Sequence, residues 1–182
     1  MKRTQKVNGV DIQALKDTCA LLRQNPEMGQ SKFRITNHWK DGGNNQAAVK
    51  EFYAAGEEQN HGTSFSFEAD EPPVLLGGDQ GASPVEYLLA ALSSCMTTSI
   101  VYHAATRGYR IESLESEFEG DLDLRGFLQV SEDVPKGYQK IRATFKVKTD
   151  ATEEEIAELY QFSPVYSMVS KSVPIEVKIV KI

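Results

Sequence analysis

Cysteine is nearly absent from this chain: Cys19 and Cys95 are the two thiols in 182 residues. Two cysteines exclude a disulfide scaffold and a cysteine-rich zinc site. A cationic excess is missing too. Twenty Lys and Arg stand against 26 Asp and Glu, a net charge of −6, which argues against nucleic acid as a partner because phosphate recognition needs clustered cations. No basic tail, polybasic stripe or lipidation signal is present. The start, Met1-Lys2-Arg3-Thr4-Gln5-Lys6, is charged but no apolar run follows it. It therefore does not read as a secretory signal, and a reducing cytoplasm is the expected compartment. Hydrophobic content of 40% with 25% charged residues describes an ordinary globular chain able to bury a sizeable core. The acidic surplus gathers in Glu115–Asp123 and Glu153–Glu158 and reads as solvated surface.

One stretch lacks charge altogether. From Tyr87 to Thr106 there is no Asp, Glu, Lys or Arg, about the length that spans a bilayer. The stretch also carries Ser93, Ser94, Thr97, Thr98, Ser99 and His103, and strand-like segments flank it, so it reads as a buried helix with no membrane role. Its ends are well marked. Ser83 can cap the helix, Pro84 suits the first turn and Glu86 completes an S-x-x-E capping box. Gly108 supplies the stop, preceded by Arg107. A helix over Pro84–Arg107 is about 36 Å long at 1.5 Å per residue, enough to run through the core of a small domain.

Around it, Asp11–Arg23 has the spacing of a short amphipathic helix and Gln24–Ser31 reads as a linker. Lys32–Trp39 alternates as a half-buried strand, with Phe33, Ile35 and Trp39 on one side. Lys40–Asn45 is turn chemistry, Ala47–Ala54 the returning strand and Ser64–Glu68 a third short one. Asp70–Gly81 is a Gly- and Pro-punctuated loop, whose Gly77–Gly81 part lacks a dinucleotide pattern and is expected to be flexible. Tyr109–Leu124 alternates, with Gly120 as an expected bend or bulge. Tyr138–Thr149 places Ile141, Ala143, Phe145 and Val147 inward. Asp150–Phe162 reads as a second helix, Ser163-Pro164 starts a further turn through Val169, and Pro174–Ile182 closes as a strand. The order predicts an α+β fold with mostly antiparallel strands.

The run Gly81–Cys95, GASPVEYLLAALSSC, resembles the central-helix motif of the OsmC and organic hydroperoxide resistance superfamily. Asp70-Glu71-Pro72-Pro73, Leu75-Leu76-Gly77-Gly78 and Ser163-Pro164-Val165 are also similar to family patterns. The likeness covers residues 31–182 as one domain, with residues 1–30 as a helical extension and linker. It implies an OsmC-like α+β sandwich that forms an intertwined homodimer, with two central helices in the core and sites at the subunit interface. It also implies a function: a cysteine at the Cys95 position that attacks an organic hydroperoxide and becomes a sulfenic acid, after which a second cysteine closes a disulfide that an external thiol reduces.

Three departures qualify that implication. The resolving cysteine of peroxidase members falls on Ser163 here, and Cys19, the other thiol, lies outside the resemblance. The family carboxylate falls on Val85, with Glu86 one residue later and already occupied as a capping partner. The family arginine falls in the first hairpin turn, where this chain offers Lys40, a cation without bidentate geometry. The candidate catalytic set is therefore Cys95, Glu86 and Lys40, acting as a one-cysteine peroxidase. The competing reading is a non-catalytic dimer that binds a small apolar or amphipathic ligand at the interface, and a duller one makes Cys95 a core residue. His38, His61 and His103 lack metal-ligand spacing, so neither metal nor cofactor is expected.

Overall fold

The computed structural model describes residues 6–182. In chain order the first elements are strands β1 (Lys6–Val7) and β2 (Val10–Asp11), helix α1 (Ile12–Gln24), and strands β3 (Lys32–Phe33) and β4 (Thr36–Asp41). Strands β5 (Asn44–Ala54) and β6 (Glu57–Ala69) follow, then helix α2 (Pro84–Arg107) and strand β7 (Ile111–Asp121). The chain continues through α3 (Leu124–Phe127), β8 (Lys140–Thr149), α4 (Glu153–Leu159), α5 (Pro164–Val169) and β9 (Ile175–Lys181). These elements gather into two compact units: the described N-terminal residues through Ile12 with Leu88–Ile182, and Gln13–Tyr87.

In the Gln13–Tyr87 unit, β5 is the spine of an antiparallel sheet. It pairs with β4 through its first half (Asn37 opposite Ala47), with β3 through its second (Phe33 opposite Phe52), and with β6 along its other edge. A bulge between Val49 and Glu51 interrupts the β5–β6 register. The β5–β6 turn, Ala55-Gly56, has both residues at positive φ (53° and 84°), the geometry that matches strand twist in two-residue hairpins. That turn makes β6 a strand of 13 residues, much longer than the Ser64–Glu68 segment expected from its apolar alternation. The expected half-buried strand is also corrected. It breaks at Arg34-Ile35, and Phe33, Ile35 and Trp39 are 78%, 62% and 73% exposed, Phe33 stacking on Phe52 of the same sheet.

In the other unit a three-stranded sheet runs β7-β8-β9, with β7–β8 antiparallel and β8–β9 parallel. The parallel pair follows from the α4–α5 segment that connects β8 to β9, since parallel neighbours need a crossover. Ile141, Ala143, Phe145 and Val147 all turn inward as expected and join one core with Leu92, Met96, Ile100 and Ala104 of α2. Those four α2 residues recur every fourth position, one stripe of a helix. The helix is thus buried along one face and open along another, where Leu88, Ala91, Thr98 and Tyr102 are exposed. By length and composition α2 would suffice to cross a membrane, but its apolar stripe is spent on this sheet.

Local chemistry sets the α2 ends. The Ser83 N–H donates to the Glu86 carboxylate at 2.8 Å. Gly108 sits at φ +83°, its N–H reaching the Ala105 carbonyl and that of Tyr109 the Ala104 carbonyl, a Schellman stop. Gly120 proves to be no bulge. It pairs in register with Ile141, and a Cβ there would lie 2.4 Å from the Tyr138 ring, so the residue makes room for an aromatic. At the N-terminus, Asn8-Gly9 closes a β1–β2 hairpin that periodicity alone did not suggest.

Candidate functional site

Cys95 lies mid-way along α2 and is partly exposed, while Leu92, Met96 and Ser99 beside it are buried. It therefore stands at the margin between the packed stripe and the open face. Ser94 and Thr98, each a step away on the helix, are exposed and small, so the thiol is sterically reachable from the open side. Cys19 is exposed on α1, and both cysteines are free.

Lys40 is the last residue but one of β4, and its ammonium pairs with the Glu68 carboxylate on β6. Asn44 donates to the same carboxylate oxygen at 3.2 Å. The hydrogen bonds from Lys40 and Asn44 hold the Glu68 carboxyl below the usual range against the opposing effect of burial. Glu86, by contrast, is tied to the Ser83 N–H. The structure thus brings Lys40 to a carboxylate, but that carboxylate is Glu68. Sequence reasoning missed Glu68; the hairpin register that sets β6 beside β5 was the signal that could have found it. Cys95 belongs to one compact unit, and Lys40, Glu68 and Glu86 to the other.

The Gly-rich segment before α2 is a built turn, which corrects the expectation of flexibility. Asp70, 2% exposed, accepts the N–H groups of Glu71, Gly78 and Gln80 at 2.8, 3.1 and 3.2 Å. Burial pushes the Asp70 carboxyl up, but those three donors and Asn44 outweigh it and hold the group below its ordinary value. The glycines are steric requirements: a Cβ at Gly77 would meet the Glu71 carbonyl at 1.8 Å, and one at Gly81 the Glu68 carbonyl at 2.1 Å. Tyr87 completes the frame, its hydroxyl donating to the Glu68 carbonyl at 2.6 Å.

Ser163 is fully buried and acts as the cap of α5, its Oγ accepting the Tyr166 N–H at 3.1 Å. His103 stacks on Phe162 with centroids 4.2 Å apart, and burial together with the Arg107 charge keeps its pKa below the usual value. His61 lies between the Phe52 and Phe65 rings. Among the described residues no three His, Cys, Asp or Glu side chains group as metal ligands. A recess of about 340 Å³ opens at the β5 bulge between Arg34, Thr36, Lys50 and Ser64; Lys40, Glu68 and Glu86 do not line it.

A helix uncharged from Tyr87 to Thr106, packed by one stripe on a mixed sheet and carrying a reachable mid-helix thiol, defines an α+β protein whose candidate chemistry is that of sulfur. The OsmC-like protein family profile matches residues 77–180, more than half of the chain, and the chain belongs to the OsmC-like family. Solved structures carry the same fold. An OsmC-like protein from Mycoplasma pneumoniae is 16% identical with a TM-score of 0.62, over 83% of this chain and 97% of that one. An organic hydroperoxide resistance protein from Elizabethkingia anophelis is 15% identical with a TM-score of 0.58, over 82% and 97%. The organic hydroperoxide resistance protein OsmC of Legionella pneumophila is 13% identical with a TM-score of 0.54, over 81% and 97%. No curated protein sequence matches the chain.

Proposed function

We propose that this OsmC-family protein is a one-cysteine, thiol-dependent peroxidase acting on organic hydroperoxides, with Cys95 as nucleophile. The observation that carries the reading is the position of Cys95: in the family helix, partly exposed, beside small side chains on the open face. The thiolate attacks the distal oxygen of the hydroperoxide, the O–O bond breaks, and the alkoxide takes a proton to leave as the alcohol. Cys95 is oxidised to the sulfenic acid and the peroxide is reduced. An external thiol then condenses with the sulfenic acid, releasing water, and a second thiol frees Cys95 by exchange. Ser163 offers no sulfur for an internal disulfide, and its Oγ is occupied as a cap. The protein works as a cytoplasmic homodimer.

The test is to mix reduced protein with cumene hydroperoxide and a dithiol, following peroxide consumption and the one-oxygen adduct on Cys95. Turnover that disappears in Cys95→Ser supports the reading. Consumption no greater than that of Cys95→Ser overturns it and leaves a ligand-binding dimer as the better account.

A further inference from the structure

Asn8 and Gly9 form the turn of the β1–β2 hairpin, both at positive φ (51° and 80°), with Val7 opposite Val10. The Asn8 amide does more than close the turn. Its Nδ2 donates to the Tyr109 carbonyl at 3.0 Å, and its Oδ1 accepts the Ile111 N–H at 2.9 Å. One side chain thereby pairs with the backbone on both sides of Arg110, as a neighbouring strand would, and clips the hairpin to the entry of β7. Hairpin and strand belong to the same compact unit.

We propose that Asn8 is a site of spontaneous deamidation, and that its conversion to an acidic residue unclips the hairpin from β7. The Gly9 nitrogen attacks Cγ of Asn8 and a new C–N bond forms. The Cγ–Nδ2 bond breaks, and Nδ2 takes up the Gly9 proton and departs as ammonia. Water then opens the five-membered imide at either carbonyl, leaving aspartate or isoaspartate at position 8; nothing is oxidised or reduced. Three features favour the site. Asn8 is the one asparagine in the chain followed by glycine, and nothing lies within 4 Å of where a Gly9 Cβ would stand, so neither a side chain at position 9 nor a packed neighbour on that side crowds the turn. Negative charge develops on Oδ1 during attack, and the Ile111 N–H is already aimed at that oxygen, as an oxyanion donor is.

The consequence follows from the same two bonds. The acid has no Nδ2 donor, so an anionic oxygen faces the Tyr109 carbonyl where a hydrogen bond had been. Isoaspartate also adds a backbone methylene inside a two-residue turn, which the Val7–Val10 register cannot absorb.

The experiment holds the full chain in mildly alkaline buffer and maps acid formation at every asparagine by peptide mass spectrometry. Asn8 should convert faster than Asn25, Asn37, Asn44, Asn45 and Asn60 by on the order of tenfold or more. The converted fraction, separable by its added negative charge, should exchange the Val10 and Ile111 amide protons about tenfold faster than unconverted protein. Asn8→Asp supplies the aspartate product directly and should show the same direction of change at Val10. Conversion at Asn8 no faster than at the other five asparagines overturns the proposal. So does a converted fraction whose exchange matches that of unconverted protein.

Discussion

At position 163 a hydroxyl oxygen accepts the Tyr166 N–H while the whole residue is buried. Ser163→Ala removes the cap and should cost about 1 kcal/mol, a fall in Tm of roughly 2–4 °C for a chain of this size. Calorimetry reads that loss. Glycine positions divide as sharply. Gly77→Ala pushes a methyl onto the Glu71 carbonyl and should destabilise by about 1–3 kcal/mol, whereas Gly137, with open space around it, should accept alanine with little change in Tm. Asp70 supplies a pH dependence whose sign follows from its lowered carboxyl. A depressed folded-state pKa contributes stability above the unfolded value, near pH 4, and loses it as pH falls through the folded value. Wild-type Tm should therefore drop more steeply than that of Asp70→Asn as pH is lowered below about 4; parallel acid profiles would remove the turn's dependence on that carboxylate.

Elements differ in how plainly the sequence announces them. The α2 boundaries were legible because cap, stop and apolar run agree within one segment: Ser83 with Glu86, and Gly108 in the left-handed region. Strand β8 was legible because its alternation is strict from Ile141 to Val147. The β1–β2 hairpin was missed although Asn8-Gly9 is a strong turn signal, because two-residue strands have no periodicity to read. The first half of β6 was missed because Glu57–Gly62 carries no apolar alternation and is held by pairing to β5 and by the Arg34–Glu58 ion pair. Ion pairing across the outer face of β7–β8–β9 was half visible. The acidic run Glu115–Asp123 reads as solvated, but its cationic partners lie in another strand. Arg142 pairs with both Glu119 and Asp121, while Lys146 pairs with Glu117. Arg142→Met should lower Tm more than Lys146→Met, and the gap should narrow in about 1 M salt, where exposed charges are screened. Equal losses at all salt concentrations would assign the effect to packing of the arginine stem.

The candidate site was legible only in part for a reason that belongs to the molecule as a whole. A mid-helix thiol can be read from one segment, but the Lys40–Glu68 pair comes from a register between strands 28 residues apart. The same holds for surface that a single chain leaves open. Along α2, Leu88, Ala91, Cys95, Thr98 and Tyr102 are spaced three and four apart, the repeat with which one helix seats against another. Leu88 and Tyr102 are 39% and 48% exposed at the two ends of a stripe that carries no charge. An uncharged stripe of this length costs free energy in water, and the proposed homodimer offers it a matching copy. Light scattering at micromolar concentration should then give twice the chain mass. Tyr102→Glu, which puts a charge on the stripe without touching the Leu92–Met96–Ile100 face, should shift the protein toward monomer with its circular dichroism intact. A monomeric wild type would dissolve the proposed dimer; a Tyr102→Glu protein that stays fully dimeric would move the contact off α2.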